Sequence, residues 1–384
     1  MTRIALPTAA IVLLHAGAFQ VGLLAALEFL AFPLLGLIAG VYADRLNRRR
    51  ILIVCDAGRM LVLASVPVAY FAGVLSMGQL YAVALVVGVC TVFFDVAYQS
   101  YLPALIPRTD LLEGNSKLEI TRSASQVVGP ALGGILIQAI RSAPAILVDS
   151  FSYVVSVATL LWIRDAEPDP RTSGVAPAGF FTEMWEGIKV VLGHPVIRLI
   201  AGCTATTNLG SNMAFAIVLL FAYNQLGLTP GQVGAVFAIG SIGALIGAVV
   251  AVPIARRIGL GPTIAVATCG SVFGFLIPLA TFGYPFLLLS AAFFGILLTG
   301  SVYNINQVSL RQAIVPVRLQ GRLNATVRTI IWGTIPVGNF LGGVLGTRLG
   351  LVPTLYVGAA IATLSVIFIL AGPVRLKEQP EPAD

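Results

Sequence analysis

The sequence predicts an all-α integral membrane protein of twelve helices in two six-helix bundles. Three observations carry that prediction. Of 384 residues, 58% are apolar and only 10% charged, where a soluble chain of this size carries about 25% charged residues. Apolar stretches of about 20 residues, enough to cross roughly 30 Å of hydrocarbon as helices, recur along nearly the whole chain. Segments in the first half also return in the second at nearly one offset.

Spans are predicted near 4–18, 20–43, 51–75, 79–102, 124–143, 145–163, 196–222, 232–254, 262–282, 285–306, 325–346 and 352–373. Orientation follows from the bases. The run Asp44-Arg45-Leu46-Asn47-Arg48-Arg49-Arg50 cannot cross a bilayer and marks a cytoplasmic loop. Alternating sides from there places 19 Lys and Arg inside and only Arg141 and Arg348 outside, leaving Arg3 and Arg59 uncounted. So large a bias decides the topology and puts both termini in the cytoplasm. It also explains the net charge of +7 without nucleic acid as a partner.

The expected organisation is a six-helix bundle over 1–164, a cytoplasmic linker over 165–194, a second bundle over 195–373 and a cytoplasmic tail over 374–384. The linker is rich in Asp, Glu and Pro. Within it Phe180, Phe181, Met184, Trp185, Ile188 and Val191 share one helical face, which predicts a helix lying on the membrane surface. Cys55, Cys90, Cys203 and Cys269 each fall in an apolar stretch without a CxxC pair and read as small hydrophobes. His15 and His194 differ in setting and stand far apart, so neither a metal nor a cofactor is expected.

Gln20-Val21-Gly22 recurs as Gln232-Val233-Gly234, 212 residues on, and at the same offset Asp44-Arg45 falls on Arg256-Arg257. Gly129-Pro130-Ala131-Leu132-Gly133-Gly134 is echoed 209 residues on by Gly338-Asn339-Phe340-Leu341-Gly342-Gly343. Such duplication in a membrane protein points to a transporter with its site between the halves. It also predicts that the first span lacks its cytoplasmic half. The span before Gln232 begins about 35 residues earlier, whereas 19 residues precede Gln20, which leaves Arg3 near the membrane middle.

Gly40-x3-Asp44-Arg45-x2-Arg48-Arg49 resembles the loop 2–3 motif of the major facilitator superfamily. Asn47 replaces that motif's second glycine, and Asn tolerates positive φ better than most residues. Gly129-Pro130-x2-Gly133-Gly134 resembles part of the superfamily's antiporter motif, with Ser125 in place of the first glycine. Val308-Ser309-Leu310-Arg311-Gln312 and Leu319-Gln320-Gly321-Arg322-Leu323-Asn324-Ala325 are similar to the loop 10–11 region of the enterobactin-exporter and macrolide-efflux branch. The resemblance covers about residues 4–375 and implies the two-bundle major facilitator fold, working by alternating access. It further implies efflux of a drug or metabolite from the plasma membrane against inward proton flow. On it Asp44 holds the inner gate; a plain helix-end charge is the other reading. The cavity candidates it places are Phe93, Phe94, Asn208, Asn212, Tyr303, Asn304 and Trp332.

Charges inside a bilayer are costly and default to functional hypotheses. Four acids fall within spans: Glu28, Asp56, Asp95 and Asp149, all in the first half. Glu28 lies near the midplane and is a candidate for proton coupling, or else lines a wet cavity. Asp56 and Arg59, at i and i+3, read as an ion-pair cluster with Asp95, or as a proton relay. Asp149 lies near an outer helix end and is expected to reach water. Gly129-Pro130 permits a bend, and Gly133 and Gly134 permit close packing. The expected partners are a small-molecule substrate, protons and membrane lipid, with the chain acting as a monomer. No nucleophile–base pair or GxxxxGK[ST] motif is present, so an enzyme or an ATP-driven pump is disfavoured. A uniporter or importer, and a transport-inactive sensor or assembly partner, stay open.

Overall fold

The computed structural model describes residues 2–105, 111–163, 189, 193–314 and 317–372. Among the described residues twelve helices follow one another: α1 (Thr2–Leu14), α2 (Ala18–Arg45), α3 (Arg48–Phe71), α4 (Met77–Leu105), α5 (Leu111–Ile140), α6 (Ser142–Trp162), α7 (Pro195–Asn224), α8 (Pro230–Ile258), α9 (Leu260–Phe282), α10 (Pro285–Ile314), α11 (Val317–Arg348) and α12 (Leu351–Leu370). Nine stretches among the described residues are long and apolar enough to cross a membrane. The predicted surface helix over 180–192 lies outside the described residues apart from Lys189, as does the tail.

Several helices overrun their predicted spans. α5 starts at Leu111 rather than near 124, and α10 and α11 extend to Ile314 and back to Val317. Hydropathy marks where lipid ends, whereas backbone hydrogen bonding continues into water.

The chain divides into two compact units, Met1–Ala176 and Pro177–Asp384. In the first, α2 packs along α4, α3 lies against α4 and α6, and α1 touches α5 and α6. The second repeats the scheme: α8 along α10, α9 against α10 and α12, and α7 against α11 and α12. The sequence echoes now have physical causes. Gln20 accepts from the Gly17 amide at 2.9 Å, and Gln232 accepts from the Thr229 amide at 2.9 Å. Each glutamine thus reaches back to the start of its helix and satisfies an otherwise orphaned N–H.

The glycine echo sets helix spacing in the second unit. A Cβ on Gly338 would press on Leu209 and Asn212 of α7, and one on Gly342 would overlap the Met213 backbone. Lipid gives helices no hydrophobic drive to associate, so such close backbone approach supplies the packing attraction. In the first unit the position matching Gly338 is Gly129, and a Cβ there would meet nothing within 4 Å among the described residues.

The basic loop differs from expectation in two ways. Only Leu46 and Asn47 separate α2 from α3, so Arg48, Arg49 and Arg50 form the first turn of α3. Asn47 does not use its tolerance of positive φ. It sits at φ −60°, ψ 116°, and its side chain accepts from the Arg50 amide at 3.0 Å. An N-cap needs an extended backbone and a side-chain oxygen, which Asn supplies and Gly lacks.

Candidate functional site

In the first unit the predicted Asp56–Arg59 pair forms on α3, with the two residues 1% and 7% exposed. Its surroundings were not legible. Ser156 of α6 donates to the second carboxylate oxygen of Asp56. The Arg59 guanidinium lies 4.3 Å from the Phe94 ring centre and 4.9 Å from that of Tyr153. Both charges are therefore partnered, as buried charges must be. Tyr153 and Ser156 stand at i and i+3 on α6, so one face of that helix closes over the pair. Asp95, the third member of the expected cluster, is half-buried on α4.

Glu28 meets Arg3 of α1 at 3.8 Å, and Arg3 also lies 5.0 Å over the Phe29 ring. This is a looser arrangement than that of Asp56: the Arg3 side chain is 68% exposed and that of Glu28 16%. Asp149 departs from expectation. It is 6% exposed and accepts from the Thr2 hydroxyl, because the first turn of α1 covers it.

Of the motif residues, Arg49 donates to the carbonyls of Leu160 at 2.8 Å and Leu161 at 2.7 Å, the last turn of α6. A cation there satisfies orphaned carbonyls and the negative end of the helix. Arg48 is half-buried beside it, and Gly40 lies in α2 with open space around it. Asp44 and Arg45 fall in the last turn of α2; their side chains, and with them the predicted gate contact, lie outside the described residues. Gly133 and Gly134 are buried in α5 while Gly129 and Pro130 are half-buried.

Phe93 lines a recess of about 400 Å³ against α2 and α3 that also holds Cys55 and Cys90. Both thiols are free.

The second unit holds a cavity of about 250 Å³ between α7, α9, α10 and α12. Asn208, Asn212 and Tyr303, three of the cavity candidates, line it. Asn304 does not: one residue turns the helix by about 100°, and its side chain is exposed. Trp332, half-buried on α11, is also outside the lining. Hydroxyls that sequence reasoning missed complete the wall, among them Thr207, Thr268 and Ser271. Each has a partner within the unit, Thr268 donating to the Ile264 carbonyl and Ser271 to the Thr268 carbonyl, both at 2.8 Å. Tyr303 and Thr204 hydroxyls lie 2.7 Å apart, Thr207 donates to Ser365 at 2.7 Å, and Asn212 donates to the Asn208 carbonyl at 2.8 Å. Thr204, Thr207, Asn208 and Ser211 recur at helical spacing in α7, which was the available signal. A mainly apolar wall with a few fixed polar groups suits a small organic molecule.

Residues 8–383 match the family model described as transmembrane secretion effector. The chain belongs to that family of major facilitator superfamily transporters. This transporter is 27% identical over 354 residues to the multidrug efflux pump Tap of Mycolicibacterium fortuitum, covering 88% of this chain and 82% of the relative. It is 24% identical over 386 residues to the enterobactin exporter EntS of Citrobacter koseri, covering 95% and 86%. Its fold is that of the solved nucleoside transporter NupG, with a TM-score of 0.72 at 12% identity over 96% of this chain and 93% of that one. The transporter is thus a multi-pass membrane protein of a transport family, not of an enzyme class.

Proposed function

We propose that this transporter exports small amphiphilic compounds across the plasma membrane by alternating access, driven by inward proton movement. The observation that carries the reading is a division of labour. The cavity lies in the second unit, where no described residue is an acid. The four intramembrane acids all lie in the first unit. Cargo and proton would then occupy different halves of one protein.

Among those acids Glu28 is the coupling residue in this reading. Asp56 has an arginine and a hydroxyl to hold its charge, and Asp149 has a hydroxyl donor. Glu28 has one exposed cation at 3.8 Å, which competes weakly with a proton. A carboxylate must be able to lose and regain its charge to carry protons, so the least firmly partnered of these three is preferred. Asp56–Arg59 then serves as a structural clamp on α3 and Asp44 as part of the inner gate. The names of Tap and EntS support export as the direction. The chain works as a monomer with its C-terminus on the cytoplasmic side.

The test is accumulation of a panel of fluorescent amphiphiles in cells expressing the chain, with and without a protonophore. Lower accumulation that the protonophore abolishes is expected. Accumulation equal to that of non-expressing cells across the panel would refute export.

A further inference from the structure

The bases of the second unit look at first like a product of membrane orientation alone. Lys189, Arg198, Arg256, Arg257 and Arg348 are indeed exposed. Arg311 is not: it is 6% exposed, near the end of α10. It is flanked by Leu310 and Ile314, which pack with Ile197, Ile200, Leu260, Ile264 and Ile369 in an apolar cluster. Its Nε and Nη1 are buried without a hydrogen-bond partner among the described residues. No acid occurs in the sequence between Glu186 and Glu378.

A guanidinium buried in apolar surroundings with idle donors is costly unless something anionic meets it. Its place says what. Helix side chains lean toward the N-terminus of their helix, which on α10 is the direction of Tyr303 and the cavity. Tyr303, which lines the cavity, packs against the same apolar cluster that flanks Arg311. Between them, Gln307 is 2% exposed and its Oε1 also lacks a partner, while its amide donates to Asn304 Oδ1 at 3.1 Å.

Resting on the export reading, we infer that Arg311 is the recognition site for an anionic group on the transported molecule. The cargo class is then an amphiphile whose apolar body occupies the cavity. Its carboxylate, sulfonate or similar anion meets Arg311, and a neighbouring hydrogen-bond donor meets Gln307.

Two probes isolate the charge. 8-Anilinonaphthalene-1-sulfonate and N-phenyl-1-naphthylamine share their rings and N–H and differ in the sulfonate. Each is titrated into the purified transporter in nanodiscs, with empty nanodiscs subtracted. Arg311→Gln is expected to weaken the sulfonate probe by about tenfold or more and the neutral probe by less than about twofold, with Arg311→Lys recovering part of the loss. Equal weakening of both probes, or no change in either, overturns the site. Should Arg311→Gln fail to melt cooperatively, Arg311→Lys carries the test, and an unchanged ratio of the two affinities refutes the proposal. Efflux of both probes from cells is scored separately. Charge-dependent binding without efflux would remove the export reading and leave the anion site. Efflux of the sulfonate that Arg311→Gln does not slow would do the reverse.

Discussion

Breaking the Asp56–Arg59 pair separates a structural clamp from a proton relay. Removing one partner of a buried ion pair costs about 3–5 kcal/mol, because the other charge is stranded. Arg59→Gln also removes a guanidinium from the faces of Phe94 and Tyr153, worth about 1–2 kcal/mol more, so about 4–7 kcal/mol is expected. Asp56→Asn keeps one oxygen to accept from Arg59, turns the Ser156 contact round so that the amide donates to the hydroxyl, and leaves both ring contacts, so it should cost about 2–3 kcal/mol. In Asp56→Asn/Arg59→Gln no charge is stranded, and the loss should fall short of the sum by about 2–3 kcal/mol. The assay is equilibrium unfolding in mixed micelles of rising dodecyl sulfate content. Additive single losses, or an Asp56→Asn variant less stable than Arg59→Gln, would refute the clamp.

The repeat supplies a pair of opposite expectations. Gly342→Ala pushes a methyl into the Met213 backbone and should destabilise by about 1–3 kcal/mol, whereas Gly129→Ala gains helix propensity in open space and should be neutral or stabilising by up to about 1 kcal/mol; the same unfolding assay decides, and equal effects would contradict the packing. Arg141, between α5 and α6, sits at φ 67°, ψ 169°, and its counterpart 209 residues on is Gly350 at φ 90°, ψ 166°. That region belongs to glycine, so Arg141→Gly should raise the melting temperature, and a fall would show that the arginine side chain outweighs its backbone strain.

The twelve helices were readable because lipid demands long apolar stretches, and the repeat because each half must cap and pack the same helices. Helix ends were less so: the polar turns of α5 and α11 carry no hydropathy signal. Asp56–Arg59 was legible from spacing within one helix. Ser156 and Tyr153 were not, since they come from α6 and meet α3 only in the fold. Asn208, Asn212 and Tyr303 were placed by family resemblance, and Asn304 failed because adjacent residues on a helix face different ways. The burial that separates Arg311 from the exposed bases of the second unit is a property of packing, invisible in a list of charges.

Proton coupling through Glu28 is tested most directly in proteoliposomes holding the purified transporter and a pH dye, with a compound that cells export. With an imposed acid interior, the compound should enter and the lumen should lose protons at a matching rate. Glu28→Gln should abolish both while still exchanging labelled for unlabelled compound. Uptake that proceeds equally without the gradient, or a gradient-driven uptake unaffected by Glu28→Gln, would contradict the account.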